Sequence, residues 1–180
     1  MKKIVTLCVF LLGALSAEAG NGFYVGAGVA CQFVPNLGGT HFAVAPAVDL
    51  GFKSDYLMVG GMASFDGDIM LSVDVNSRLE LVENVNMFLG GGYGTIYRKS
   101  EYVVNNEIYK SSGYVSWPHA NIGMEFGFND NVGLHLIGAF GYSRCPNYYD
   151  VHGYRYDYYH DNNNNWRIAA QVRASIVWTF

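Results

Sequence analysis

The last fifteen residues alternate without a break. Trp166, Ile168, Ala170, Val172, Ala174, Ile176, Trp178 and Phe180 are all apolar and fall on one side of an extended chain, while Arg167, Ala169, Gln171, Arg173, Ser175, Val177 and Thr179 fall on the other. Side chains of a strand point alternately to its two faces, so a period of two describes a strand with one apolar and one partly charged face. Ile69 to Leu81 repeats the pattern: Ile69, Leu71, Val73, Val75, Ser77, Leu79 and Leu81 oppose Met70, Ser72, Asp74, Asn76, Arg78 and Glu80. Such segments run about 13 to 16 residues, against a usual five or six in soluble domains.

From residue 20 onward the chain divides into eight alternating segments, at about 22–33, 41–53, 56–66, 68–82, 86–98, 114–129, 131–144 and 165–180. The connections Lys53-Ser54-Asp55, Glu83-Asn84-Val85 and Asn129-Asp130-Asn131 are short and rich in turn-forming residues. The others, at about 34–40, 99–113 and 145–164, are longer, apart from Asp66-Gly67-Asp68. An even number of long strands with short turns at one end and long loops at the other predicts an all-β fold: one eight-stranded antiparallel up-and-down transmembrane β-barrel. Threaded this way, the aromatics gather at two heights. Phe33, Phe42, Phe65, Tyr97, Trp117, Tyr142 and Trp166 fall near the outer rim, and Phe23, Phe52, Tyr56, Phe126, Phe128, Trp178 and Phe180 near the inner rim. Hydrocarbon offers no partner for a free strand edge, so the last strand must close on the first.

The N-terminus reads as a signal for export. Lys2 and Lys3 precede the uncharged apolar stretch from Ile4 to Leu15, and Ala17-Glu18-Ala19 supplies the small-x-small cleavage pattern. The expected division is a signal peptide over residues 1–19 and a barrel domain over 20–180, placed in the outer membrane. Cleavage takes the formal charge from −4 to −5, which gives no basic face for nucleic acid. Of three cysteines, Cys8 leaves with the signal. Cys31 and Cys145 are a candidate disulfide in an oxidising compartment. Strand eight lies between theirs, which puts their Cα atoms about 9–10 Å apart, so a bridge requires residue 145 to bend over within its loop.

An eight-stranded bore is just wide enough to be filled by side chains. Parity turns Asp49, Asp74, Arg78, Glu80, Glu125, His135, Arg167 and Arg173 inward, and unpaired charges there are costly, so they are expected to form a hydrogen-bonded ion-pair network. That network reads as a polar plug, with a narrow porin-like channel as the alternative. The loop at 145–164 carries Tyr148, Tyr149, Tyr154, Tyr156, Tyr158 and Tyr159. Tyr offers a large contact area with few rotors, so this loop reads either as a surface for host protein, glycan or phage or as an extension of the barrel wall.

The opening Gly22-Phe23-Tyr24-Val25-Gly26-Ala27-Gly28 and the closing Val177-Trp178-Thr179-Phe180 resemble the small opacity-type, outer-membrane-protein-A-like barrel superfamily of Gram-negative bacteria. The resemblance covers essentially the whole of 20–180. It implies that Trp178 and Phe180 form part of a signal read by the barrel-assembly machinery. It leaves no room for a periplasmic cell-wall domain. Barrels of this shape include lipid A deacylases that use Ser and His near the outer rim. Here Ser116, His119 and Ser143 lie near that height without the spacing of a nucleophile, base and orienting group. The expected function is therefore non-enzymatic, with no cofactor or metal. The barrel would sit as a monomer among outer-membrane lipid and lipopolysaccharide, with the loops at 99–113 and 145–164 contacting external partners. A lipid A-modifying enzyme is the less favoured reading.

Overall fold

A computed structural model describes residues 21–36, 39–66, 68–104, 107–144, 148–149, 155–156 and 166–180. Its strands are β1 (Gly22–Asn36), β2 (Gly39–Lys53), β3 (Leu57–Asp66), β4 (Asp68–Val82), β5 (Val85–Val104), β6 (Glu107–Gly127), β7 (Val132–Arg144), β8 (Tyr148–Tyr149), β9 (Arg155–Tyr156) and β10 (Trp166–Thr179). Each of β1 to β6 pairs antiparallel with the next, β7 pairs with β10, and β10 closes on β1 from Tyr24↔Thr179 to Phe33↔Ala170. The fold is thus a closed eight-stranded antiparallel barrel, with β10 as its eighth stave.

The registers fix its shape. Starting at Phe23, the ladder partners run through Phe52, Val59, Val75, Gly91, Ala120, Phe140 and Ala170 to Phe33, ten residues up the starting strand. A shift of about 33 Å over eight inter-strand steps of about 4.8 Å tilts the strands by about 40°. At that tilt Phe23 and Phe33 stand about 25 Å apart along the axis, the height of a barrel's lipid-facing band.

Two residue choices hold the short turns. Asn84 adopts a positive φ of 64°, a conformation Asn tolerates, and its carbonyl accepts from Gly127 N at 2.8 Å. Asn129 Oδ1 accepts from the backbone nitrogens of Asn131 and Val132, both at 2.9 Å, which folds the β6–β7 turn.

At the opposite end the structure corrects the expected loops. The segment expected as a loop at 34–40 is mostly strand, with Asn36 paired to Gly39. The segment at 99–113 is no open loop: β5 and β6 stay paired up to Val104↔Glu107, beyond the last β4–β5 pair at Ile69↔Tyr97. Strand-forming residues here keep the hairpin ladder intact after β4 has turned away. Within 145–164, β8 pairs with β6 at Lys110↔Tyr149 and with β9 at Tyr148↔Tyr156 and Tyr149↔Arg155. The described tyrosine segments therefore continue the β5–β6 wall beyond the rim.

Candidate functional site

The interior is polar at two levels and apolar at two others. Nearest the short-turn end, Glu125 on β6 is the hub of the first polar level. Lys53 bonds Glu125 Oε1, Arg78 reaches Oε2 through Nε at 3.0 Å and Nη2 at 2.9 Å, and Asn86 donates to Oε2 at 3.4 Å. His135 Nε2 lies 3.4 Å from Oε1. Arg78 Nη1 also donates to Asn21 Oδ1 and to the Ser54 carbonyl, both at 3.2 Å, tying the network to the β2–β3 turn. A cavity of about 140 Å³ opens beside it, lined by Lys53, Arg78, Asn86, Glu125 and the Asn-rich turns. Above it Tyr24, Met58, Phe88, Ile137 and Val177 form an apolar layer, in which Tyr24 and Phe88 meet the His135 ring edge-on at centroid distances of 5.3 and 5.2 Å.

The second polar level surrounds Arg173. Its Nη2 donates to Asp74 Oδ2 at 2.9 Å, and its Nε lies 3.4 Å from Asp49 Oδ1. Ser175 donates to the other oxygen of Asp49. His119 bridges the Trp117 carbonyl (Nδ1, 2.9 Å) and Asp74 Oδ1 (Nε2, 2.7 Å), and its ring stacks on Trp117 at 4.0 Å. Gly92 makes room for this contact: a Cβ there would lie 2.2 Å from Asp74 Oδ1 and 2.7 Å from His119 Nε2. The lumen closes above with Val34, Met62, Met70, Ile96, Trp117, Ala139 and Ala169. Gln171 reaches Met70 Sδ at 3.1 Å within that layer. Among the described side chains the buried carboxylates Asp49, Asp74 and Glu125 are matched in number by the cations Lys53, Arg78 and Arg173.

The residues expected inside are thus placed as follows. Asp49, Asp74, Arg78, Glu125, His135 and Arg173 face the lumen in the two clusters just described. Glu80 does not join them: it is exposed, next to a register shift between Glu80 and Val82. Parity gives direction but not height, and this residue stands at the open mouth, where solvent satisfies it. Arg167 pairs with Ser143 in the β7–β10 ladder, and its side chain lies outside the described residues. Lys53, Asn86 and Trp117 were missed as members of the interior.

Trp117 was expected at the outer aromatic height and instead lies fully buried within the barrel. The same parity that sends His119 inward sends Trp117 inward too. Phe33, Phe42, Phe65 and Tyr142 above and Phe23, Tyr56, Phe128, Trp178 and Phe180 below are exposed on the outer wall, while Tyr97, Phe52 and Phe126 are half-buried. Between them stand Val25, Val29, Val44, Val48, Leu50, Leu71, Val73, Val75, Leu89, Ile122 and Val172, all exposed.

The rim residues weighed for catalysis are not brought together. Tyr93 Oη donates to Ser116 Oγ at 2.7 Å on the outer wall, while His119 is committed to Asp74 inside. Cys31 is a free thiol on the outer face, paired across the ladder with Val172. Arg144, beside Cys145, pairs with Trp166, six residues further along β10. At about 3.3 Å per residue that separates the two strand positions by about 20 Å. The shear of the barrel, invisible to strand counting, creates this distance; Cys145 itself lies outside the described residues, as do Tyr154, Tyr158 and Tyr159.

A soluble domain hides its apolar side chains and wets its charged ones. This barrel does the reverse, with an apolar outer band, aromatic edges and paired charges within, and so has the construction of a transmembrane β-barrel. Among solved structures it is similar to Neisserial surface protein A (14% identity over 88% of this chain and 97% of that one, TM-score 0.56). It is also similar to the N-terminal barrel domain of Pseudomonas aeruginosa OprF (9% identity, 91% and 100% coverage, TM-score 0.55). A third is the attachment invasion locus protein Ail of Yersinia pestis (11% identity, 91% and 100% coverage, TM-score 0.51). The fold is that of the small eight-stranded outer-membrane barrels. No protein-family model and no curated protein matches the chain by sequence.

Proposed function

We propose that this chain is a non-enzymatic protein of the outer membrane, whose barrel is an anchor and whose β5–β6 hairpin, extended by β8 and β9, contacts partners outside the cell. The observation that carries this reading is the hairpin itself: seven residues of β5 continue past its last pair with β4, and the described tyrosine segments β8 and β9 join the same sheet. A wall that only spanned the bilayer would have no need of it. The attachment protein and the surface protein among the similar folds are consistent with a surface role. Residues 1–19 would direct export and be removed, and Trp178 and Phe180, exposed at the end of β10, would be read during barrel assembly. The test is adherence. A non-adherent bacterial host displaying the chain is expected to bind cultured epithelial cells several-fold better than the empty host. Replacing 99–112 by a two-residue turn should remove the gain while the barrel still shows its heat-dependent gel shift. No gain with the intact chain would sink the proposal.

The channel alternative is disfavoured by packing. Met58, Phe88, Met70, Ile96 and Trp117 are at most 1% exposed and fill the bore at two separate levels. The purified barrel is expected to leave a planar bilayer silent, and discrete conductance steps that change with Arg78→Ala or Arg173→Ala would reinstate the channel.

A further inference from the structure

The interior charges balance in total but not level by level. Around Arg173 two carboxylates, Asp49 and Asp74, meet one guanidinium, and the His119 ring also stands on Asp74. Around Glu125 the order is reversed: one carboxylate meets two cations, Lys53 and Arg78. The apolar layer of Tyr24, Met58, Phe88, Ile137 and Val177 separates the two levels, so the surplus of one does not touch the surplus of the other. His135, the other titratable neighbour of Glu125, brings either no charge or a positive one. Among the described residues, the lower level therefore holds one positive charge that no buried group answers, and a buried charge without a partner is costly.

The surplus stands at Lys53. Arg78 gives Nε and Nη2 to Glu125 and Nη1 to Asn21 and the Ser54 carbonyl, so its fork is filled. The Lys53 ammonium carries three N–H groups, and among the described residues its hydrogen-bond partner is Glu125 alone. Its side chain is 5% exposed, yet it lines the cavity of about 140 Å³ at the short-turn end, together with Arg78, Asn84 and Asn129. One water needs roughly 10–15 Å³ of such space, so the cavity takes a group of several heavy atoms beside Lys53. Asn129 has its Oδ1 committed to the turn, which leaves its amide N–H groups as further donors. Asp130, exposed in the same lining, opposes a guest that brings two negative charges. We propose that this cavity binds one small carboxylate of single negative charge. The guest accepts from Lys53 Nζ and brings the lower level to neutrality. The site lies at the end opposite the β5–β6 hairpin and does not depend on what that hairpin contacts.

The test is anion-dependent unfolding. Full-length chain folded in a zwitterionic detergent is unfolded by urea at neutral pH and followed by its heat-dependent gel shift, while sodium chloride is exchanged for sodium acetate at constant ionic strength. Acetate is the probe for the carboxylate, and it is expected to lower the unfolding equilibrium constant about five-fold as the site fills. Sodium sulfate, which brings two charges, is expected to act more weakly. Lys53→Met keeps the length of the side chain, leaves Arg78 paired with Glu125, and should abolish the response to acetate. Asp130→Asn, on an exposed turn, should raise that response about two-fold and let sulfate approach it. No response in the intact chain overturns the proposal. So does an equal response in Lys53→Met, which would mark a general salt effect on stability, or a stronger response to sulfate than to acetate. If Lys53→Met does not give a heat-modifiable barrel, Asp130→Asn carries the test, and an unchanged response there overturns the proposal.

Discussion

Glu125→Ala is expected to lower the unfolding free energy of the barrel by about 3–5 kcal/mol, the usual loss when one partner of a buried ion pair is removed. The reason lies in what the carboxylate leaves behind. Lys53 and Arg78 converge on it with side-chain exposures of 5% and 10%, and Asn86 and His135 complete its surroundings. Without Glu125 two cations face each other in a bore enclosed by apolar wall. The neighbouring cavity of about 140 Å³ can admit water, which pulls the loss toward the lower end of the range. The companion experiment decides what the network is for. Replacing Lys53, Arg78 and Glu125 together by Met, Leu and Leu removes the charges with both their attraction and their desolvation cost, and is expected to return stability to within about 1.5 kcal/mol of the original. Urea unfolding of the detergent-folded barrel, read by the heat-dependent gel shift, measures both. A single variant losing less than about 1 kcal/mol would mean that the cluster is hydrated throughout and the plug is looser than its geometry. A triple variant that stays unstable would mean that the charges also select the register.

The direction of side chains was legible in the sequence and their height was not. A period of two separated Val25 and Val29 from Tyr24 and Gln32 and Val73 and Val75 from Asp74 and Asn76, because only strand parity is needed for that. The same period turns Trp117 inward with His119, but the sequence reading counted Trp117 among the rim aromatics. Heights depend on shear, a property of the closed barrel that no single strand encodes. That is why Cys31 looked level with the end of the seventh strand, and why Glu80 looked enclosed. The hairpin at 99–113 was hidden for another reason: Arg98, Lys99, Ser100 and Glu101 are polar on both faces. A paired ribbon in water has no apolar face to betray it, so only the pairing itself reveals the strand.

Gly28→Ala is expected to prevent closure of the barrel, with a loss of about 3 kcal/mol or more and little or no heat-modifiable species on refolding. Gly28 pairs with Ser175 in the ladder that joins the first strand to the last. A Cβ at Gly28 would lie 1.9 Å from the Ala174 carbonyl oxygen, 2.6 Å from Ser175 Cα and 2.8 Å from the Ala174 carbonyl carbon. All three are backbone atoms, so no rotamer relieves the contact. Relief requires β1 and β10 to part by about 1 Å, enough to carry normal hydrogen bonds past their useful length. In water those groups would find new partners, but in hydrocarbon each unpaired N–H or C=O costs several kcal/mol. The same substitution at Gly138 supplies the control. There the nearest atom to a new Cβ is Phe140 Cε2 at 3.3 Å, the end of a side chain that can turn, and the next is 3.7 Å away. Gly138→Ala is therefore expected to stay within about 0.5 kcal/mol of the original. Because the two changes add the same methyl to the same barrel, a difference between them isolates the closing ladder from any general effect of losing a glycine. If Gly28→Ala refolds as well as Gly138→Ala, the first and last strands are held apart at this level and the barrel owes its closure to the pairs below, around Tyr24 and Thr179.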